Sequence, residues 1–322
     1  MTDPAEISGA WPSSVGVVGA GTMGIGISHV FALSGVPTVL IDATASRAEE
    51  ARARSLQLVA ALEEAGTVDR GATRRVERLT SAAASVEAGA AGADLIVEAV
   101  VERADVKLAV YEAIEAAADP SSVIATNTSS IPIALLASRL AAPGRFLGVH
   151  WFVPPLLVPC VEVIPSPATD AQVLADVVAM LSLLDKAPVV VGDGPGFVAN
   201  RIQFALFKEA ATIVAEGLAT AEQVDEVVRS SFGFRLPFFG PFTIADMAGL
   251  DVYADIFDTL ERGLGPGFSA PELLTAHVAN GDFGVKTGHG FLDITQDEAT
   301  ELIDRRDRAY LALSRLRREL DG

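Results

Sequence analysis

The sequence predicts an α/β fold, a mostly parallel, doubly wound sheet followed by an all-α second part. Three observations carry that reading. A short apolar run, Val15 to Val18, leads through Gly19-Ala20-Gly21-Thr22-Met23-Gly24 into a helical stretch, Ile25 to Leu33, and then a second strand, Pro37 to Asp42, ending on an acid. Strand and helix signals go on alternating as far as Gly192, the pattern of a parallel sheet with helices on its faces. Past Asp193-Gly194-Pro195-Gly196, where two glycines flank a proline, the strand signals stop.

The elements follow in order. Ala45 to Ala65 and Arg70 to Leu79 read as a helical pair broken at Gly66-Thr67-Val68-Asp69. The stretch from Ala82 to Ala93 is rich in alanine and glycine and carries no clear element. Asp94 to Val100 is a strand, Ala104 to Ala118 a helix, Val123 to Thr126 a strand and Ile133 to Leu140 a short helix. Phe146 to His150 and Val158 to Ile164 are strands, and the Pro154-Pro155 loop between them suits a hairpin-like connection. Ala171 to Leu184 is helical and Pro188 to Gly192 is the last strand. Phe197 to Gly217, Ala221 to Ser230, Gly240 to Leu260, Pro271 to Asn280 and Asp297 to Leu320 are read as helices. The domains expected are therefore 1–193 and 194–322.

The glycine stretch has the full context of a dinucleotide fingerprint: a strand before it, a helix after it and an acid about twenty residues on. Gly19 permits the tight turn, Gly21 lets a pyrophosphate approach the backbone, and Gly24 lets the helix pack closely on the sheet. The helix start, with Thr22 and Met23, offers free N–H groups and the positive end of a dipole to phosphates. Asp42 suits ribose hydroxyls and repels a 2′-phosphate, which favours NAD, although Arg47 is close enough in sequence to meet such a phosphate. The first part is thus a Rossmann-type, NAD-binding domain.

Bulk properties narrow the partners. With 322 residues the chain is long for one core, so two domains are expected. A net charge of −18 argues against nucleic acid and anionic membrane surfaces as partners. The single cysteine, Cys160, excludes an intrachain disulfide and fits a reducing, cytoplasmic location. Residues 1–11 lack the basic-then-apolar form of a leader, and no stretch reaches the roughly 18 uninterrupted apolar residues of a membrane helix.

Of the four histidines, His29, His277 and His289 are read as structural or surface residues. His150 ends a strand on the far half of the sheet, and sites in this fold form at strand carboxyl ends. Taken alone, it is read equally well as a core residue or as a catalyst. Glu162 stands between apolar residues in Cys160-Val-Glu-Val-Ile164, and such an acid needs a partner if buried. If the two strands pair around Pro154-Pro155, Glu162 reaches the His150 ring and fixes its tautomer, leaving the other nitrogen as a general base. The alternative is a glutamate on an edge strand, facing solvent. Thr126-Asn-Thr-Ser-Ser130 follows a strand and is read either as facing cofactor or substrate or as a plain helix cap. Asn200 falls at the domain junction, as a pocket residue or as an interdomain hydrogen bond.

Together these pieces resemble the short-chain L-3-hydroxyacyl-CoA dehydrogenase family. The matching motifs are Gly19 to Gly24, Glu98-Ala-Val-Val-Glu102 with Lys107, Asn127-Thr-Ser-Ser130, Gly148-Val-His-Trp-Phe152, Val161-Glu-Val-Ile164, Gly194 to Ile202, Gly240-Pro-Phe242, Gly249-Leu-Asp251 and Lys286-Thr-Gly-His-Gly-Phe291. The resemblance implies that His150 takes the proton of the substrate's 3-hydroxyl while hydride passes to NAD, with Glu162 orienting it. It implies that Ser129 and Asn200 hold substrate oxygens, and that Glu102, Lys107 and Asn127 lie on the cofactor side. It implies fatty-acyl coenzyme A substrates, received by the helical pair after Asp42, and a homodimer formed by the helical domain.

Three departures bear on the substrate. Val153 stands where the family usually has asparagine, Pro159-Cys160 replaces the usual lysine and leucine, and Phe234-Arg-Leu-Pro-Phe-Phe-Gly240 differs from the fatty-acyl form. That last segment is similar to relatives that oxidise carnitine or gulonate, with Arg235 set to grip a substrate carboxylate or else to form a structural salt bridge. No lysine lies between Ala43 and Leu95 to hold a coenzyme A phosphate, although arginines do. The rival substrate is therefore a free, small 3-hydroxy acid. The rival from another class is a non-catalytic nucleotide-binding protein of the same fold, which the combination of His150, Glu162, Ser129 and Asn200 speaks against.

Overall fold

A computed structural model describes residues 11–321; residues 1–10, read above as lacking a leader, lie outside them, as does Gly322. The first part is an eight-stranded sheet in the order β3-β2-β1-β4-β5-β6-β7-β8. Its strands are β1 (Val15–Val18), β2 (Thr38–Ile41), β3 (Thr80–Ala83), β4 (Leu95–Glu98), β5 (Val123–Thr126), β6 (Phe146–Trp151), β7 (Cys160–Pro165) and β8 (Ala187–Val190). Every neighbouring pair is parallel except β6 with β7, which form an antiparallel hairpin around Pro154-Pro155.

The helices of this part are α1 (Thr22–Leu33), α2 (Ala45–Glu64), α3 (Ala72–Leu79), α4 (Val86–Ala90), α5 (Ala104–Ala117), α6 (Ile133–Ala137) and α7 (Ala171–Leu183). Alternate strand residues face opposite sides, as the period of two requires. Val15, Val17, Leu95 and Val97 join Phe31 and Met180 in the core beneath α1 and α7. Val18, Ile96 and Ile124 join Tyr111, Ile114 and Ile133 beneath α4 to α6. Because β1 feeds β2 on one side and pairs with β4 on the other, the strand order reverses at β1 and β4, and ligands of such sheets bind at that crevice.

Three elements differ from the sequence reading, one of them α4, a helix inside the alanine- and glycine-rich stretch 82–93. Thr80–Ala83 is a strand, held at the sheet edge by pairing with β2 and by Arg52, whose Nε donates to Thr80 O at 2.7 Å. Small side chains give it little strand propensity of its own. The stretch read as one helix over Gly240 to Leu260 is two, α10 (Pro241–Ala248) and α11 (Leu250–Leu264), because Gly249 at φ 104° breaks the run.

The remaining helices are α8 (Ala199–Ala215), α9 (Ala221–Ser230), α12 (Glu272–Asn280) and α13 (Gln296–Asp321). The chain forms two compact units that divide between Ala205 and Leu206, inside α8. The first turn of α8 goes with the sheet because its amides and Asn200 bond to Glu162 and Ser129. Within the second unit, Ala245, Leu250 and Leu274 make a small core. There the buried carboxylate of Asp246 accepts the Phe291 and Leu292 N–H groups, fixing the Lys286–Phe291 loop.

Candidate active site

The glycine turn is built as its sequence suggests. Gly19 has φ 101°, and a Cβ there would lie 2.5 Å from Ala99 O; a Cβ at Gly24 would lie 1.9 Å from Gly19 O. Both positions exclude any side chain. Nothing lies within 4 Å of a Cβ placed on Gly21, so that backbone is open to a ligand. Gly21 caps α1 without a side-chain bond, which leaves the first N–H groups, at Thr22 and Met23, as donors for an anion. Asp42 accepts from Ala20 N at 3.2 Å and Ala43 N at 2.7 Å, and Arg47 Nε sits 3.0 Å from its Oδ1. Arg47 thus pairs with the acid at the end of β2. Gly19, Ala20, Gly21, Asp42, Ala43 and Arg47 line a cavity of about 490 Å³ with Val86, Val100 and Val101.

Further along the sheet, β6 and β7 pair in a register that sets His150 directly opposite Glu162. His150 Nδ1 lies 2.8 Å from Glu162 Oε2, and the two residues are 5% and 3% exposed. The other carboxylate oxygen accepts the N–H groups of Val198 and Ala199, at 3.0 and 2.9 Å, at the start of α8. Both oxygens of the Glu162 carboxylate accept, so in the neutral ring Nδ1 carries the proton and Nε2 keeps its lone pair. Phe152 and Phe197 flank the ring, at centroid distances of 4.6 and 5.7 Å.

The β5 end carries a second cluster. Glu102 Oε1 accepts from Thr128 Oγ1 at 2.6 Å, Ser129 N at 2.9 Å and Ser130 N at 3.0 Å, closing the turn 128–130 around one oxygen. Burial pushes its pKa up, but the Thr128 hydroxyl, the Lys107 ammonium and the Ser129 N–H outweigh this and hold it at about 2. Lys107, expected on the nicotinamide side, is itself 1% exposed. Its Nζ sits 2.7 Å from Glu98 Oε1 and 3.3 Å from Glu102 Oε2. Asn127 Oδ1 accepts from Trp151 N at 2.9 Å and ties β5 to β6 beside His150. Asn200 Nδ2 donates to Ser129 O at 3.0 Å, which joins α8 to the same turn and leaves one amide hydrogen and Oδ1 available. Arg235 belongs to the second unit, just after the turn Phe232–Phe234, and its guanidinium makes none of the ion pairs found among the described residues.

Sequence reasoning gave no role to Glu98. It is fully buried and accepts from Lys107, Tyr111 Oη at 2.7 Å, Thr126 Oγ1 at 2.8 Å and Val100 N at 2.8 Å. The signal was present, because Leu95-Ile-Val-Glu98 is an acid in an apolar strand, as Glu162 is. A second cavity, of about 410 Å³, lies between α1, α2 and the β6–β7 loop. Ile25, Leu58, Leu62, Val153 and Leu157 make it apolar, with His29 and Arg54 as its charge-bearing side chains. His29 Nε2 is 2.7 Å from Ser55 Oγ, and burial lowers its pKa. No helix among the described residues is long and apolar enough to cross a membrane.

A nucleotide crevice at a strand-order reversal, joined to a buried imidazole–carboxylate pair, defines an NAD-dependent oxidoreductase acting on a CH–OH group. Comparison with known proteins gives the same class. Residues 14–194 match the family described as 3-hydroxyacyl-CoA dehydrogenase, NAD binding domain, and residues 196–294 match its C-terminal domain. The chain belongs to the 3-hydroxyacyl-CoA dehydrogenase family. It is 31% identical over 304 residues to 5-formyl-3-hydroxy-2-methylpyridine 4-carboxylate 5-dehydrogenase of Mesorhizobium japonicum, covering 94% of this chain and 97% of that one. It is 34% identical over 278 residues to a probable 3-hydroxybutyryl-CoA dehydrogenase of Bacillus subtilis, covering 86% and 96%. The solved 3-hydroxyacyl-CoA dehydrogenase of Archaeoglobus fulgidus superposes with a TM-score of 0.78 at 30% identity, covering 94% of this chain and 99% of that one.

Proposed function

We propose that the protein reversibly oxidises the 3-hydroxyl of a 3-hydroxyacyl coenzyme A thioester, with His150 as general base. The observation that carries this is the buried 2.8 Å contact of His150 Nδ1 with Glu162, which leaves Nε2 as the accepting nitrogen. Gly19, Gly21, Thr22, Met23, Gly24 and Asp42 would hold NAD, which when bound accepts the hydride from C3. His150 Nε2 takes the hydroxyl proton as C3 becomes a carbonyl carbon. Glu162 stabilises the resulting imidazolium, and the Val198 and Ala199 amides keep its carboxylate in place. The free amide hydrogen of Asn200 donates to the substrate oxygen, and the Ser129 hydroxyl holds the substrate's second oxygen.

The thioester reading is supported by the apolar 410 Å³ cavity beside α2, with Arg54 at its edge, and by relatives named for acyl-CoA substrates. A free, small hydroxy acid is the second reading. The relative named for a pyridine carboxylate, matched over 94% of this chain, favours it, as does the Arg235 guanidinium, which makes none of the ion pairs found among the described residues. NADH oxidation with acetoacetyl-CoA, set against NAD reduction with carnitine and gulonate, separates the two. Turnover of the free acids alone overturns the thioester reading.

The helical part is proposed to form a homodimer in the cytoplasm. No residue of α8 is buried, and Phe204, Phe207, Leu218 and Val227 are each more than 60% exposed, an apolar surface that a second copy would cover. A monomeric mass by light scattering at micromolar concentration overturns that assembly.

A further inference from the structure

Lys186 lies outside the chemistry described so far. It follows Asp185, whose φ of 59° turns the chain between α7 and β8. Its Nζ donates to three backbone carbonyls of the β6–β7 loop, those of Pro155 at 2.6 Å, Leu156 at 3.1 Å and Val158 at 3.2 Å. An ammonium has three donors and no acceptor, so these bonds use all of it. The loop is poor in internal support, because Pro154 and Pro155 have no N–H to give. Among its carbonyls, Pro154 O takes the Leu157 and Val158 N–H groups and Pro159 O takes Ala187 N. Three more, those of Pro155, Leu156 and Val158, converge on Lys186. Converging carbonyl dipoles repel one another, and half-buried ones left unpaired are costly, so a cation at their focus offsets both. Burial lowers the Lys186 pKa, and Asp185 draws it part of the way back.

The same loop walls the apolar cavity. Val153 to Leu157 face Ile25 and Gly26 of α1, and Leu58 and Leu62 of α2. The helical walls are held by their own backbone ladders, whereas three carbonyls of the loop wall are tied by one ammonium, beside the Pro154 turn and the packing of Leu156. The loop also begins beside the reacting centre, since Phe152, packed on the His150 ring, directly precedes Val153.

We propose that Lys186 is a positioning residue for the substrate. Its ammonium fixes the 153–158 loop, and with it the width of the cavity that takes the substrate chain beyond the reacting carbon. The substrate half of this inference rests on the proposed role of His150; the fixing of the loop does not.

The test uses the full-length protein with Lys186→Met, which keeps the stem and removes the charge, and Lys186→Arg, which keeps the charge. With Lys186→Met, hydrogen exchange at the Leu156 to Val158 amides is expected to speed up at least tenfold, with α7 and β8 unchanged. KM for acetoacetyl-CoA is expected to rise roughly tenfold and the preference between short and long 3-oxoacyl-CoA chains to narrow, while kcat stays within about threefold and KM for NADH is unchanged. Lys186→Arg should restore most of the KM. Unchanged exchange and KM overturn the proposal. So does a joint fall of kcat, NADH affinity and melting temperature, which marks a merely structural lysine. If the parent turns over no thioester, the substrate reading fails; faster exchange confined to the loop then still supports Lys186, and unchanged exchange still overturns it.

Discussion

Glu98 ends β4 and Glu162 lies within β7, and solvent is nearly excluded from both, at 0% and 3% exposure. Each has both oxygens engaged by donors, as a buried carboxylate requires. The partners differ. Glu98 is matched by the Lys107 ammonium, with Tyr111, Thr126 and Val100 taking up what remains. Glu162 is matched by an imidazole and two amides, and the imidazole keeps one nitrogen unengaged. In the Glu98 cluster both carboxylate oxygens are engaged by fixed donors, so it presents no open atom to a substrate. A histidine–carboxylate pair can take up a proton and then hold the charge that results. The same fold thus uses one buried acid to fasten β4, β5 and α5 together and, in the proposed mechanism, another to support a base.

The sharpest way to break this contrast is to remove the imidazole. His150→Ala should lower kcat by roughly 10⁴-fold, about 5 kcal/mol of barrier, and leave NAD affinity nearly unchanged. Activity surviving within about tenfold would remove His150 as the base. Glu98→Ala should act on the other axis. It leaves Lys107 buried with only Glu102 at 3.3 Å, and breaking such a pair costs about 3–5 kcal/mol. Thermal unfolding should shift down by roughly 10 °C, with KM for substrate little changed in the folded fraction. A Glu98→Ala protein of parental stability but without turnover would erase the distinction between the two acids.

Glu162→Gln should be milder than either. Its amide carbonyl can still accept from one side, but its NH2 group then faces either the Val198 and Ala199 amides or His150 Nδ1–H, where donors already stand. The expected loss is roughly 10- to 100-fold in kcat. Without the carboxylate the imidazolium is less favoured, so the rise of the oxidation rate with pH should move to lower pH. A pH profile identical to the parent's would take Glu162 out of the pair.

The contrast also shows what the sequence could and could not reveal. The glycine turn and Asp42 were legible because their spacing is local and each glycine has a steric reason that a sequence displays. The His150–Glu162 pairing was legible only as a condition on the two strands forming a hairpin, and the register of β6 on β7 meets it. Glu98 gave the same signal as Glu162, an acid in an apolar strand, yet its partner Lys107 sits a helix turn into α5, reached through a crossover that no spacing rule reads. The resemblance places Lys107 on the cofactor side, whereas its burial against Glu98 is a tertiary fact. β3 escaped notice because Thr80-Ser-Ala-Ala83 is a strand only through its neighbours, and the break at Gly249 was hidden inside an otherwise helical pattern.

Glu102 stands between the two acids in character and offers the smallest test. It shares Lys107 with Glu98, yet its side chain is 36% exposed and its other oxygen closes the turn that carries Ser129. Its pKa of about 2 in the folded protein lies below the ordinary value of 4.5, so the folded state prefers the ionised form. Folding therefore gains from Glu102 fully above about pH 4.5 and loses that gain as the pH falls through about 2. Glu102→Gln removes the charge at every pH. The melting temperature of the parent should then exceed that of the variant by a nearly constant margin from neutral pH down to about 5, with the gap closing between about 4.5 and 2. Solvent screening keeps that margin to a few degrees. A margin unchanged at pH 2, or absent at neutrality, would mean that the turn 128–130 is closed by its own backbone and not by the Glu102 charge.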